Sequence, residues 1–339
     1  MMNISKISLL QWIELAVFLS ILLICGLATY QRNFIWKNDL YLWGDSVKKS
    51  PQKFRPHNNL GLAYLEKKEF DRAMEEFVET LRLNPRAEKA YLNIGQIYEE
   101  KGQIDKAISY YNKALQISPE FTGAIHFLGN IYEKQGQLDM ALLYYKKAFR
   151  INVNNPKLLI SLGSVLQKKG LFSDAVNTYK IALRINPDLS EAYYNLGLAY
   201  DEQGILKDAI HYYQQALKLK PDYPQALSNL GIIYAKMGGY EKALSLFNRA
   251  LEIKPDDVIT LINLGITCEE FAKSYELKAM SQKQLAESRE LRAMNKEQLA
   301  KSKGLRVQAI EIYQKVLKIE PENIQAKDRM MKLSAKGRE

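Results

Sequence analysis

Ala192-Tyr193-Tyr194-Asn195-Leu196-Gly197-Leu198-Ala199-Tyr200 decides the fold, because each part of this stretch returns elsewhere at a fixed interval. Gly197 belongs to the series Gly61, Gly95, Gly129, Gly163, Gly197, Gly231 and Gly265, whose members stand 34 residues apart. Twelve positions after the first six comes an alanine (Ala73, Ala107, Ala141, Ala175, Ala209, Ala243), and four further on a ring (Phe77, Tyr111, Tyr145, Tyr179, Tyr213, Phe247). Proline closes the units at Pro85, Pro119, Pro187, Pro221 and Pro255, with Val153 as the exception. A period of this length marks a repeat architecture, in which a unit buries its apolar face only against its neighbours. Small residues let two helices approach, and apolar residues at i, i+3, i+4 spacing fill the space between them. Gly102 and Gly136 stand where a helix must end. The closing prolines suit the first turn of the helix that follows.

The pattern resembles the tetratricopeptide repeat over residues 54–321. That resemblance implies an all-α, right-handed superhelical solenoid of about seven helix-turn-helix repeats, beginning near 54, 88, 122, 156, 190, 224 and 258. Residues 31–53 read as a degenerate half-repeat, with Trp43 at the ring position and Asp39 and Ser46 in place of alanines. Residues 322–339 read as a polar capping helix. The seventh repeat starts normally at Leu261, Asn263 and Gly265, but its alanine and ring come late, at Ala309 and Tyr313. A 32-residue insert, at about 269–303, accounts for the delay and contains a 14-residue duplication, ELKAMSQKQLAESR then ELRAMNKEQLAKSK. With no Gly or Pro between Gly265 and Gly304, helix is expected there, as one long projection or as a hairpin. Ala272, Ala279, Ala286, Ala293 and Ala300 recur every seven residues, a thin coiled-coil seam through which copies could self-associate.

From Ile7 to Tyr30 the chain is apolar, with Glu14 its one charge, and as a helix it would reach about 36 Å. No small-x-small cleavage site follows, so the stretch reads as one uncleaved transmembrane helix and the protein as single-pass. Lys6 precedes it, whereas Arg32, Lys37, Lys48 and Lys49 follow, a bias that leans the repeats toward the cytoplasm. Gln31-Arg32-Asn33-Phe34-Ile35-Trp36, Leu42-Trp43-Gly44-Asp45 and Lys49-Ser50-Pro51 are similar to the junction before the repeats of tetratricopeptide-bearing mannosyltransferase-like membrane proteins. That resemblance implies repeats on the outer side. It also implies an accessory subunit of a membrane glycosyltransferase, whose partner is a multi-span membrane protein. The side stays open.

Composition removes other classes. The chain has 339 residues and a net charge of +10, of which residues 54–265 hold only +2. A nucleic-acid reader concentrates its cations on the reading surface, so no nucleic-acid partner is expected. Cys25 and Cys268 are far apart, and His57, His126 and His211 are scattered, so neither a disulfide framework nor a metal or cofactor site is expected. No nucleophile elbow or phosphate loop occurs, and the chain reads as a non-enzyme.

The sixth position of each first helix carries Asn59, Asn93, Asn195, Asn229 and Asn263, interrupted by Phe127 and Ser161. An asparagine column can donate to and accept from the backbone of an extended peptide without demanding a sequence. The row is similar to the asparagine ladder of O-GlcNAc transferase, which implies peptide binding at these five positions. Arg55, Asn59, Lys89 and Asn93 begin the clamp that other tetratricopeptide proteins use for a chaperone's carboxylate tail, but Gly123 and Phe127 fail to continue it.

Overall fold

The computed structural model describes residues 9–36, 38–283 and 289–336, and the side chains of 13–27, 38–281 and 293–335 among them. Every regular element among the described residues is an α-helix. Helix α1 (Leu9–Trp36) and α2 (Asp39–Lys49) lead into helix pairs: α3 (Phe54–Glu66) with α4 (Phe70–Leu83), α5 (Glu88–Glu100) with α6 (Ile104–Ile117), and α7 (Thr122–Lys134) with α8 (Leu138–Ile151). There follow α9 (Pro156–Lys168) with α10 (Phe172–Ile185), α11 (Ser190–Glu202) with α12 (Leu206–Leu219), and α13 (Pro224–Lys236) with α14 (Tyr240–Ile253). Last come α15 (Val258–Lys283) with α16 (Arg289–Ile319), then α17 (Ile324–Lys336). The chain divides into two compact units, Met1–Asn152 and Val153–Glu339. Inside each, the second helix of a pair packs on the first helix of the next.

The glycine–ring spacing is the contact that closes each pair. A Cβ on Gly61 would lie 2.7 Å from Phe77 Cε1, and one on Gly265 would lie 2.7 Å from Tyr313 Cε1. The rings are fully buried, as are Ala73, Ala107, Ala141, Ala175, Ala209, Ala243 and Ala309 behind them. Each buried ring contributes on the order of 1.5–3 kcal/mol.

A buried phenol also needs a partner. Tyr111 donates to Glu99 (2.9 Å), Tyr145 to Glu133 (2.7 Å), Tyr179 to Gln167 (3.2 Å) and Tyr313 to Glu269 (2.6 Å). Where the ring is Phe77 or Phe247, the residue at the acceptor's position is Leu65 or Ala235, packed against the ring's own core cluster. Hydroxyl and acceptor thus come and go together.

The turn glycines Gly102, Gly136, Gly170, Gly204 and Gly238 all have φ between 71° and 77°. Lys68 holds the same place in the first repeat, at φ 59°.

Three sequence expectations change here, and one open alternative is resolved. The closing prolines are not in the first turn of a helix. Pro85 follows Asn84, the C-cap of α4, and Asn84 is extended at φ −140°, ψ 92°, the region that a following proline imposes. The insert is a hairpin. Helices α15 and α16 run antiparallel, held by Glu276, which pairs with Arg306 at 2.6 Å and accepts from Ser302; the link 284–288 lies outside the described residues. The alanine seam is divided: Ala272 and Ala279 are buried, Ala293 and Ala300 are exposed, and the side chain of Ala286 is outside the described residues.

The transmembrane helix and single-pass location read from Ile7–Tyr30 are not supported. Among the described residues no helix is long and apolar enough to cross a membrane. Part of that stretch lies outside the described residues. Those that are described, Phe18 and Leu23 among them, are exposed on every side of the helix.

Candidate functional site

The two units each present a cleft between the first helices of consecutive repeats. In Met1–Asn152 it is a cavity of about 410 Å³ lined by Phe54, Arg55, Asn58 and Asn59 of α3, by Asn84 and Ala87, and by Glu88 and Lys89 of α5. In Val153–Glu339 it is a cavity of about 160 Å³ lined by Tyr194, Pro224, Gln225, Ser228, Asn229, Lys254, Asp257, Ile259 and Thr260. Subtracting 170, five periods of 34, carries Pro224, Gln225, Ser228, Asn229, Lys254, Asp257 and Ile259 onto Phe54, Arg55, Asn58, Asn59, Asn84, Ala87 and Lys89. One place in the repeat is open in both units.

Chemically the two differ. Arg55 and Lys89 flank the first cleft with no ion pair to either among the described residues. Asn58 Oδ1 is buried there without a hydrogen-bond partner, and its amide reaches Asn59 only at 3.5 Å. The first cleft therefore offers two cations, one carboxylate (Glu88) and three amides, of which Asn84 already accepts from the Arg86 backbone N–H at 3.1 Å.

In the second cleft the polar groups already serve one another. Asn229 Nδ2 donates to the hydroxyls of Tyr194 and Tyr213, 3.3 Å each. Thr260 Oγ1 lies 2.6 Å from Asp257 Oδ2 and 3.1 Å from Ser228 Oγ. Burial works to raise the pKa of Asp257, but hydrogen bonds from Lys254 and Thr260 outweigh it and hold the carboxyl below its usual range. Burial pushes Tyr194 and Tyr213 up, so both remain phenols.

The five asparagines are not one site. Asn59 and Asn93 stand in the first unit, and Asn195, Asn229 and Asn263 in the second. Asn59 and Asn229 line the clefts; Asn93, Asn195 and Asn263 line neither. Asn93 is the most enclosed, 5% exposed.

Sequence reasoning missed the fifth position, which reads Asn58, Leu92, His126, Ile160, Tyr194, Ser228 and Ile262. Its apolar members look like core, and only its variability against an otherwise strict period marks it as a lining position. It also missed a cleft of about 500 Å³ in the second unit, where Lys180 and Arg184 of α10 stand beside Tyr212 of α12. There Lys180 donates to Tyr200 (3.3 Å), a bond that raises the lysine's pKa. No group of three or more metal-ligating side chains occurs among the described residues.

Family models described as tetratricopeptide repeat match residues 54–86, 88–121, 190–223 and 224–257, and one described as TPR repeat matches 129–170 and 168–204. No curated protein matches the chain. Among solved structures, the chain is similar to the APC/C hetero-tetramer Cut9–Hcn1, at 23% identity and a TM-score of 0.62 over 68% of this chain. It spans 46% of that structure's chain, less than half, and the likeness bears on the fold alone. YrrB, a TPR protein with an unusual peptide-binding site, aligns at 24% identity with a TM-score of 0.43 over 55% of this chain and 95% of its own. MamA of Desulfovibrio magneticus RS-1 aligns at 23% and 0.45 over 50% of this chain and 96% of its own. Neither the membrane anchor nor the mannosyltransferase junction finds a counterpart among these matches. With the matched segments covering more than half of the chain and the helix pairs closing as the period demands, the chain belongs to the tetratricopeptide-repeat proteins.

Proposed function

We propose that this protein is a non-catalytic scaffold whose first-helix clefts hold extended protein segments and so assemble a complex. One observation carries the reading: the same place in the repeat is an open, amide-lined cleft in both units, at residues 54–89 and again at 224–260. An extended backbone presents alternating N–H and C=O groups, and an asparagine amide can meet either. The first cleft, with Arg55 and Lys89, suits a segment bearing carboxylates, and the second suits an uncharged one. No observation favours the accessory role in a membrane glycosyltransferase.

The test is to pan a displayed library of unstructured 12-residue segments against the full chain. Enriched segments should lose roughly fivefold in affinity for each of Asn59→Ala and Asn229→Ala, the loss of about one hydrogen bond, with the helical melt unchanged for Asn59→Ala and lowered for Asn229→Ala, which also gives up its bonds to Tyr194 and Tyr213. Recovery only of folded binders, or affinity indifferent to both substitutions, would remove the clefts from the account.

A further inference from the structure

The cleft of about 500 Å³ between α10 and α12 shares no lining residue with the two first-helix clefts. Asn177, Lys180, Ile181 and Arg184 form one wall, at i, i+3, i+4 and i+7 on a single face of α10, and Tyr212 of α12 stands on the other. Leu196 of α11, fully buried, is the floor. The α10 face covers two turns, about 10 Å. Its cations lack acids. Lys180 donates to the Tyr200 hydroxyl at 3.3 Å and lies 5.9 Å from the centre of that ring, which stacks on Tyr212. Asp208 of α12 acts on Lys180 through its charge but forms no ion pair with it. Arg184 has neither hydrogen bond nor ion pair among the described residues.

The last turn of a helix favours a cation, which accounts for Arg184 itself. It does not account for the residue one turn before it. In the first repeat Arg82 holds the place of Arg184, and Glu79 gives it two hydrogen bonds, at 2.6 and 2.7 Å. In the later repeats the place of Glu79 is taken by Lys113, Lys147, Ile181, Gln215, Arg249 and Lys315. Ile181 is the one apolar residue in that series, and it is half-buried beside an open cleft. Where the first repeat carries its own carboxylate, the fourth carries a cation, an apolar side chain and room.

An occupant has to bring the carboxylate with it. It also has to bring a backbone that asks little of the cleft. The walls are helix flanks, whose main-chain groups are spent on their own hydrogen bonds, and they offer a single amide, Asn177. An extended strand would find almost nothing to pair with there, whereas a helix satisfies its own backbone. We propose that the α10–α12 groove docks an acidic amphipathic helix of a partner protein, with its carboxylates on Lys180 and Arg184 and its apolar side chains on Ile181, Leu196 and the Tyr212 ring. This is helix-in-groove recognition, a different mode from the amide-lined clefts between first helices.

The probe is a fluorescein-labelled, helix-stapled peptide of about 12 residues, with two leucines one turn apart and a glutamate beside each. Anisotropy is read on the full chain carrying Arg55→Glu and Lys89→Glu, so that the cations of the first cleft take no part. Adding Lys180→Glu with Arg184→Glu should lower affinity about tenfold or more. Lys218→Glu with Arg249→Glu, the same change of charge at exposed positions of α12 and α14, should lower it less than about twofold. Ile181→Glu gives Arg184 an acid of its own, as Glu79 serves Arg82, and should cost about fivefold while leaving the helical melt no lower. Replacing the peptide's leucines by alanine should cost at least as much. No binding by the parent chain, equal losses from the two double reversals, or a leucine-free peptide that binds as well as the original would each overturn the docking site.

Discussion

The clefts at 54–89 and 224–260 occupy the same place in the repeat, five periods apart, and rest on the same support: a phenylalanine closing the pair, with an aliphatic residue where other repeats put an acceptor. What differs is the lining. Arg55, Asn58 and Lys89 become Gln225, Ser228 and Ile259, so two unpaired cations are lost, and the one cation gained, Lys254 in place of Asn84, is paired with Asp257 at 2.7 Å. Asn229 also has Tyr194 and Tyr213 to bond to, whereas Asn59 has only its neighbour at 3.5 Å. A repeat fixes where a cleft opens; the non-consensus residues around it fix what can enter.

Reversing the charge of the first cleft should have the largest effect. Arg55→Glu with Lys89→Glu should weaken binding of a Glu-rich extended peptide by tenfold or more, about 1 kcal/mol for each exposed charge, while leaving the second cleft unaffected. The loss should shrink as salt is added. Fluorescence anisotropy reads both. Gln225→Arg with Ile259→Lys should move the preference to the second cleft, and failure of that transfer would mean that lining does not set specificity.

Next in size is the phenylalanine support. Glu99→Leu leaves the buried Tyr111 hydroxyl without its acceptor and should cost about 1–3 kcal/mol in a denaturant melt. Adding Tyr111→Phe recreates the pairing of Phe77 with Leu65 and should recover most of that. Lys134, the other partner of Glu99 at 2.7 Å, is 71% exposed and turns to water. If the double variant is no better than the single one, the covariation of ring and acceptor is not energetic.

The sequence showed the period, the ring column and the cations of the first cleft, because each depends on residue type at a fixed spacing. It did not show the state of each asparagine. Asn229 is held by a hydroxyl 35 residues before it, and the same position before Asn93 and Asn263 is Asn58 or Ser228, with Phe77 or Phe247 in place of Tyr213. The hairpin was equally hidden. No glycine or proline marks its turn, and its closure depends on Glu276 meeting Arg306, a contact 30 residues long that no local propensity encodes. At the amino terminus the apolar run was plain, but among the described residues no helix is long and apolar enough to cross a membrane.

Releasing Asn229 should make the second cleft behave like the first. Tyr194→Phe with Tyr213→Phe removes two long hydrogen bonds and should cost about 1–2 kcal/mol of stability. The freed amide should then strengthen binding of an uncharged extended peptide several-fold. Both changes are needed for the reading to stand: a less stable protein with unaltered affinity would mean that the tyrosines merely pack, and that Asn229 is not a ligand.

The smallest effect comes from the turn behind each cleft. Lys68 and Gly238 are also 170 residues apart, and both are left-handed, at φ 59° and 77°. A side chain at 238 would meet nothing within 4 Å, so space is no obstacle and the backbone alone decides. An L-residue pays about 1–2 kcal/mol for this conformation, while glycine gives back about 0.4–1 kcal/mol through the greater freedom of its unfolded chain. Lys68→Gly should therefore stabilise by about 0.5 kcal/mol, and Gly238→Lys should destabilise by a similar amount. In a thermal melt these are opposite shifts of about 1–2 °C. Shifts of the same sign would mean that Lys68 earns its place through a contact rather than tolerating a strained one, and the two turns would then differ in kind as the two clefts do.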